Sequence, residues 1–208
     1  DLDLANEKAV VKRFSALSRL CWFGGTEVQD FLAKSSFTRT LSQLLANRKK
    51  NTEWTQEVNP HESLPARDAY TKFGNIMGRG TNMFRKYSNA PEEVNVSQNM
   101  SIATISLISV VCRDNIPVQE TLNNTGMLFE LVDLLVHPTI SEREKKWCVH
   151  TIFQLLLSSP VSQGKVLYCE QAVKIRKQLL GFREDSVWSK WPKNYSKLVL
   201  QLLGWFPL

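Results

Sequence analysis

The segment Ser106–Leu135, SLISVVCRDNIPVQETLNNTGMLFELVDLL, carries a pattern that returns elsewhere in this chain. The pairs Val118-Gln119 and Leu134-Leu135 each follow a matching pair near the N-terminus by 90 residues. A weaker third copy places Leu179-Leu180 a further 45 residues on, so the spacing of 90 is interpreted as two periods. A period near 45 is typical of helical repeats, which stack because a single repeat cannot bury its own apolar face.

The order of residues within this segment predicts three helices. Apolar residues up to Val111 predict a first helix, which the turn-forming residues Arg113–Asn115 break. Val118–Leu122 predicts a short amphipathic helix, and Gly126 supplies a residue that tolerates left-handed backbone geometry. The residues from Met127 onward recur at apolar spacings of three and four, which predicts a third helix.

This order of helix, turn, short helix, glycine break and helix resembles the armadillo repeat and, more loosely, the HEAT-type repeats. The resemblance covers residues 14–47 and 101–180. It implies an all-α fold, a right-handed α-solenoid of about three to four armadillo-like repeats. The alternative is an irregular helical bundle in which the recurrence arose by chance.

The remaining segments complete a single helical domain, residues 1–208. Residues 48–96 are rich in polar residues, proline and glycine, which predicts a degraded second repeat with insertions. Residues 186–208 contain Trp188, Trp191 and Trp205, which predicts a Trp-rich C-terminal cap. The chain has 208 residues, of which 43% are hydrophobic, so it can bury a continuous core without disulfides.

Composition and motifs exclude several classes of protein. No apolar run reaches the length of a membrane span, so we expect a protein without membrane contact. The four cysteines form no C-x-x-C pair, which predicts free, buried thiols in a reducing compartment, the nucleus or cytoplasm. Residues 74–81 resemble a phosphate loop only superficially, because no Lys followed by Ser or Thr comes after the last glycine.

Side chains that could carry catalysis lack the partners that catalysis needs. The three histidines have no carboxylate or cysteine at ligand or catalytic spacing. Asp133, Glu142 and Glu144 are interpreted as a solvated helix face. We therefore predict a protein that is not an enzyme, with no cofactor, no metal site and no catalytic residue.

The resemblance also implies a concave groove, lined by the third helix of each repeat. In importin-type and catenin-type armadillo proteins, an Asn on this helix clamps an extended peptide. The matching positions here are Arg19, Ser109 and Gln154, and none is Asn. The resemblance therefore implies a groove for an apolar or helical segment of another protein. The predicted partner-binding groove consists of Arg19, Ile105, Ser109, Trp147, His150 and Gln154.

Two further sets of residues are candidates for partner contact. Trp205 and Phe206 follow Gly204, which is expected to end the last helix and leave both rings outside its periodic face. The net charge of +6 suggests contact with nucleic acid or with acidic protein. The candidates for that contact are Arg48, Lys49, Lys50, Arg79, Arg85 and Lys86.

The sequence thus predicts a non-catalytic interaction scaffold or adaptor that holds a segment of another protein in a multiprotein assembly. The alternative is a nuclear factor that associates with chromatin or nucleic acid through the basic faces of the solenoid.

Overall fold

A computed structural model of the protein describes residues 2–34, 37–57, 97–157 and 159–206. These residues form nine α-helices and one short 3-10 helix, Asp185–Trp188, with no β-strand, which confirms the prediction of an all-α fold. None of these helices combines the length and the apolar character that a membrane crossing requires. Most of the predicted degraded repeat, residues 48–96, lies outside the described residues. The helices are α1 (Leu2–Lys34), α2 (Phe37–Glu57), α3 (Gln98–Val111), α4 (Ile116–Asn124), α5 (Met127–Val136), α6 (Glu142–Leu156), α7 (Pro160–Leu167), α8 (Ala172–Gly181) and α9 (Tyr195–Leu202).

The junction between α4 and α5 forms as its residues predict. The Asn115 side chain accepts a hydrogen bond from the backbone N–H of Val118 at 3.3 Å, which caps the start of α4. Gly126 has φ of +83°, a left-handed conformation that costs glycine little, and α5 begins at Met127. The predicted short helix, glycine break and third helix are therefore confirmed for this segment.

The leucine pairs of the repeating pattern all belong to one apolar core. Each buried leucine side chain contributes roughly 1.5–3 kcal/mol relative to an exposed one. Leu44 and Leu180 pack against this core while half-buried, so they form its margin. The buried members of the pairs are Leu45, Leu134, Leu135 and Leu179.

Contacts between helices include two series, which also touch each other through α2 and α3, α5 and α6, and α8 and α9. In the first series α1 packs on α3, α3 on α6, and α6 on α9. In the second series α2 packs on α5, and α5 on α8. The short helix α4 contacts α5 and α6, and the short helix α7 contacts α6. The apolar core contains residues from all nine of these helices.

The same polar contact recurs where a long helix of the first series ends. Gln119 Nε2 donates to the carbonyl oxygen of Cys112 at 2.9 Å, after the end of α3. Gln163 Nε2 donates to the carbonyl oxygen of Leu156 at 2.9 Å, at the end of α6. Both bonds satisfy a carbonyl that the end of a helix leaves without an intrahelical partner.

All four cysteines carry free thiols. Cys21, Cys112 and Cys148 are buried, as predicted. Cys169 is only half-buried, so the prediction of a buried thiol is wrong for this residue. Its position just beyond the end of α7, rather than inside a helix, explains the difference.

Candidate partner-binding surface

One face of α1 carries a stripe of exposed polar and aromatic side chains. Lys8, Lys12, Ser15, Arg19 and Trp22 recur at spacings of four and three residues, which places them on the same face of a helix. All five are exposed, while another face of α1 packs against α3. The helix therefore presents a row of cations that ends in an aromatic ring.

A matching stripe on α3 lies beside the stripe of α1. Asn99, Ala103, Ser106 and Val110 again follow one another at spacings of four, three and four residues. Asn99 is exposed, and the other three are half-buried. The small side chains of Ala103 and Ser106 at the middle of this stripe leave space above α3 between the two helices.

The two stripes line a series of open depressions. One depression of about 450 Å³ brings Lys12 and Ser15 of α1 together with Ser106 of α3 and Arg143 of α6. The next, of about 540 Å³, lies between Arg19 and Val110. A third, also about 540 Å³, lies on α1 itself and shares residues with both. We call this continuous area the α1–α3 surface.

The far end of the α1–α3 surface is formed by an Arg–Trp contact. The guanidinium carbon of Arg113 lies 4.0 Å from the centroid of the Trp22 ring, an arrangement worth about 0.5–1 kcal/mol at an exposed site. Arg113 Nε also donates to the Asp114 carboxylate at 3.2 Å. Asp114 has φ of +52°, and it turns the chain immediately after α3. These contacts hold the Trp22 ring and the Arg113 cation side by side.

An amide network beneath that end holds α1 against α3. Gln29 Nε2 donates to the carbonyl oxygens of Val110 and Arg113 at 3.0 and 3.2 Å. Asn115 Nδ2 donates to Gln29 Oε1 at 3.1 Å and to Asp30 Oδ1 at 2.9 Å. Both amides are buried, so their mutual hydrogen bonds replace those that water would make. This network fixes the relative position of the two helices that form the surface.

Gly25 changes the direction of α1 before the segment that contains Gln29. Gly25 has φ of +64° and ψ of −155°, so α1 consists of two helical segments with a kink between them. A residue with a Cβ atom would be strained in this conformation. The kink lies next to Trp22, at the point where the α1–α3 surface ends.

Aromatic rings from the C-terminal segment pack against α6. Trp147 and His150 of α6 pack against Trp191 and Tyr195, which come from the C-terminal segment. The ring centroids of His150 and Tyr195 are 4.4 Å apart, and those of Trp147 and Trp191 are 4.8 Å apart. Trp188 is 2% exposed and donates from Nε1 to the carbonyl oxygen of Phe182 at 2.7 Å. These residues form a packed aromatic cluster rather than an open groove.

His150 is neutral within this cluster. Burial lowers the pKa of His150 to about 4, and the nearby positive charge of Arg113 acts in the same direction. Its Nδ1 atom is buried and has no hydrogen-bond partner among the described residues. The cluster therefore stays uncharged at neutral pH, and the imidazole contributes mainly as a packed ring.

The structure corrects two of the residues predicted to line the groove. Arg19 is exposed on the α1–α3 surface, and its role in partner binding stays a prediction. Ile105 is fully buried and Ser109 is 2% exposed, so the prediction that they line an open groove is wrong. One residue along a helix turns the side chain by about 100°, and Val110 rather than Ser109 lies beside Arg19.

The other predicted groove residues lie on α6. Trp147 and His150 are half-buried, but rings from the C-terminal segment pack on both of them. Gln154 is 9% exposed, so little of it is available to a partner. The sequence could not show this, because the covering residues Trp191 and Tyr195 lie outside the periodic pattern.

Trp205 and Phe206 are half-buried and pack partly against the core. Gly204 has φ of +65°, and the backbone N–H of Trp205 donates to the carbonyl oxygen of Leu200 at 2.8 Å. This is a Schellman-type helix end, which folds the chain back over the last turn of α9. The expectation that the two rings lie outside the core-facing side is therefore wrong, while docking through their exposed portions stays a prediction.

Two of the predicted basic contact residues are engaged inside the protein. Arg48 donates to both carboxylate oxygens of Glu144 at 2.9 and 3.2 Å. Lys49 Nζ lies 2.9 Å from Glu130 and 3.0 Å from Asp133. The prediction that Arg48 and Lys49 offer their charges to a partner is therefore wrong. Lys50 is exposed. Arg79, Arg85 and Lys86 lie outside the described residues.

Glu144 is not part of a solvated helix face, contrary to the prediction. Its side chain is fully buried, and one oxygen accepts from the backbone N–H and the hydroxyl of Ser141 at 3.1 and 2.8 Å. Burial alone would raise the pKa of Glu144, but the hydrogen bonds from Arg48 and Ser141 outweigh it and hold the pKa below its ordinary value. Glu144 thus caps α6 and links it to α2.

Most of the α1–α3 surface lies outside the predicted groove, in particular Lys8, Lys12, Ser15, Ser106 and Val110. The signal was present, because α1 and α3 carry the same spacing of four and three residues at small or polar positions. This shared spacing, rather than the leucine pairs, is the feature of the sequence that indicates the surface.

Comparisons with known proteins leave the surface to be interpreted from its own chemistry. Protein-family models, curated proteins and solved structures were each compared with the chain, and none matches it. In the described part of the chain, no group of three or more His, Cys, Asp or Glu side chains is placed to hold a metal ion.

Proposed function

We propose that this protein is a non-catalytic interaction scaffold that holds a segment of another protein on the α1–α3 surface. The observation that carries the proposal is the continuity of that surface, where exposed cations and apolar side chains from neighbouring helices line connected depressions. A rigid amide network supports it from beneath, through Gln29 and Asn115. Preformed shape of this kind favours binding, because little ordering cost remains when a partner arrives.

The proposed architecture is an armadillo-like α-solenoid of about three to four repeats, with a degraded second repeat and a Trp-rich cap. Its support is the two series of helix contacts and the recurring bonds of Gln119 and Gln163. The stripe spacing of four and three residues recurs on α1 and α3. In such an array the first helix series forms one continuous face, which suits an elongated ligand.

The proposed location is the nucleus or cytoplasm. The free thiols of all four cysteines suit a reducing compartment. Cys21 and Cys148 are buried inside helices and Cys112 is buried just after the end of α3, so all three contribute apolar packing rather than cross-links.

Nucleic-acid association is the second candidate function, and one observation favours it. Lys8, Lys12, Arg19 and Arg143 line the α1–α3 surface or its depressions and are all exposed. A row of cations along a helix can follow a phosphate backbone, and such binding weakens steeply with salt.

Photo-crosslinking tests the proposed function. A benzophenone amino acid is placed at Ser15 or Asn99 on the α1–α3 surface, and at Lys177, exposed on α8, as a matched control. Irradiation in cell extract, followed by mass spectrometry, identifies the crosslinked molecule and its attached residue. We expect Ser15 and Asn99 to label the same protein segment, with loss of labelling in an Arg19→Glu background. Equal labelling from Lys177 would contradict the assigned surface, and adducts to nucleic acid would support the second candidate.

A further inference from the structure

We propose that the segment held on the α1–α3 surface is an acidic amphipathic helix of the partner protein. This inference rests on the proposed function and adds the chemistry and conformation of the ligand. It follows from three properties of the surface, which are its unpaired positive charge, its exposed apolar side chains and its length.

The positive charge of the surface favours a ligand that carries carboxylates. Lys8, Lys12, Arg19 and Arg143 are exposed, and none has an ion-pair partner within the described residues. Two anions lie nearby: Glu7 lines the same depression and accepts from the neutral hydroxyl of Ser97, and Asp114 accepts from Arg113. The four cations outnumber Glu7, the carboxylate that lines the same depression, so a partner with carboxylates along one edge would meet a net positive charge.

Exposed apolar side chains lie beside the cations, and they favour a ligand that has an apolar face in addition to its acidic face. Leu20, Trp22 and Phe23 are 56%, 56% and 84% exposed, an unusual concentration within a single helical turn. Val11 and Val110 extend this area along the depressions. A ligand that covers both the apolar area and the cations must itself be amphipathic.

The length and the shape of the surface favour a helix over an extended strand. From Lys8 to Phe23 the surface follows α1 for about 22 Å, the length of a ligand helix of about 15 residues. The backbone groups of α1 and α3 are used within their own helices, so they offer nothing to the main chain of an extended peptide. A helix satisfies its own backbone and needs only side-chain contacts.

The aromatic content disfavours single-stranded nucleic acid as the occupant. Such ligands stack successive bases on aromatic side chains spaced along a groove. The aromatic residues here, Trp22 and Phe23, are confined to one end, and Arg113 already lies over the Trp22 ring. The depression at the other end is lined by charged, polar and aliphatic side chains, among them Lys12, Asn99 and Val11, and contains no aromatic ring.

Fluorescence anisotropy with designed probes tests the inference on the full chain. The main probe is a labelled peptide of about 15 residues with Leu on one helical face and Glu along both edges. Three matched probes are a peptide of identical composition with shuffled periodicity, a peptide with Lys in place of Glu, and an oligothymidylate of similar length. We expect the acidic amphipathic peptide to bind at least about tenfold more tightly than each of the others.

Two sets of variants assign the binding to the surface. Lys12→Glu with Arg19→Glu, and separately Leu20→Ala with Phe23→Ala, should each weaken binding of the acidic peptide about tenfold. The control, Lys174→Glu with Lys177→Glu on α8, makes the same change of charge and should alter binding less than about twofold. All these positions are exposed, so far-UV circular dichroism should show an unchanged fold.

Each contrary outcome has a distinct meaning. Equal binding of the shuffled peptide, tighter binding of the Lys peptide or of the oligothymidylate, or no binding of any probe would overturn the acidic helix. If Ser15 and Asn99 still crosslink one protein segment in extract, the proposed scaffold function stands without it. If that crosslinking also fails, the two proposals fall together.

Discussion

Replacement of Arg48 by methionine tests the buried ion pair that joins α2 to α6. Arg48 donates from Nε and Nη2 to the two carboxylate oxygens of Glu144, whose side chain is fully buried. Methionine keeps a flexible unbranched side chain but removes the charge, so the variant leaves a buried carboxylate without its cation. Removal of one partner from a buried pair costs about 3–5 kcal/mol.

Protonation of Glu144 limits this cost and makes it depend on pH. A carboxyl group with an ordinary pKa of 4.5 takes up a proton at pH 7 at a cost of about 3 kcal/mol, because each pH unit is worth about 1.4 kcal/mol. At pH 5 the same uptake costs less than about 1 kcal/mol. We therefore expect Arg48→Met to lower the free energy of unfolding by about 3 kcal/mol at pH 7 and by less than half of that at pH 5.

The direction of this pH dependence follows from the pKa of Glu144 in the folded native protein and in the folded variant. In the native protein the pKa of Glu144 lies below 4.5, so its contribution is complete above that pH and is lost only as the pH falls further. In the variant, burial without Arg48 raises the pKa of Glu144, so the folded state binds the proton more tightly than the unfolded chain. The stability of the variant then falls as the pH rises above 4.5, and the difference from the native protein widens.

Urea denaturation followed by far-UV circular dichroism measures the loss in free energy of unfolding caused by Arg48→Met at pH 7 and at pH 5. The matched control is Arg176→Met, an exposed position on α8, which should change the free energy of unfolding by less than about 0.5 kcal/mol at either pH. The same loss at both pH values would refute the protonation argument. A loss under about 0.5 kcal/mol at pH 7 would show that the ion pair is not a significant link between the helices.

Three further predictions concern the core, two glycines and the tryptophans. Leu134→Ala, at a fully buried position, should cost about 2–5 kcal/mol in urea denaturation, and a loss under about 0.5 kcal/mol would contradict the packing of the core. Gly126→Ala should lower the free energy of unfolding by about 1 kcal/mol because φ is +83°, whereas Gly164→Ala, inside α7 with open space around it, should raise it by about 0.5 kcal/mol; effects of the same sign would count against this geometry. Trp188→Phe should remove blue-shifted, quencher-resistant fluorescence, and Trp22→Phe should remove accessible fluorescence, since these residues are 2% and 56% exposed; the reverse order would contradict their burial.

Local sequence signals predicted the helices where short-range chemistry decides the structure. The N-cap residue Asn115 and the left-handed Gly126 act within a few residues of themselves, so the order of α4 and α5 follows from the pattern, although α4 is longer than the predicted Val118–Leu122. The buried pair Leu134-Leu135 follows from apolar periodicity, which records one core-facing side of a helix.

Contacts between residues far apart in the chain were not predictable in the same way. Arg48 and Glu144 are separated by 96 positions, and neither residue type signals burial by itself. Ile105 and Ser109 were misplaced because leucine spacing fixes the period of a repeat but not the rotation of each helix to one residue. Rotation depends on packing against neighbours, which the spacing of apolar residues does not specify.

The two deepest thiols have a consequence for how opening of the protein can be followed in time. Cys112, after the end of α3, and Cys148, inside α6, are both fully buried. Burial raises the pKa of Cys112 to about 12 and raises the pKa of Cys148 as well, and alkylating reagents attack the thiolate. Each thiol therefore reacts only through an opened state, and the modification rates of the two report separate opening events on the same chain. The modification rates of Cys148 and Cys112 thus report local unfolding of α6 and of the end of α3.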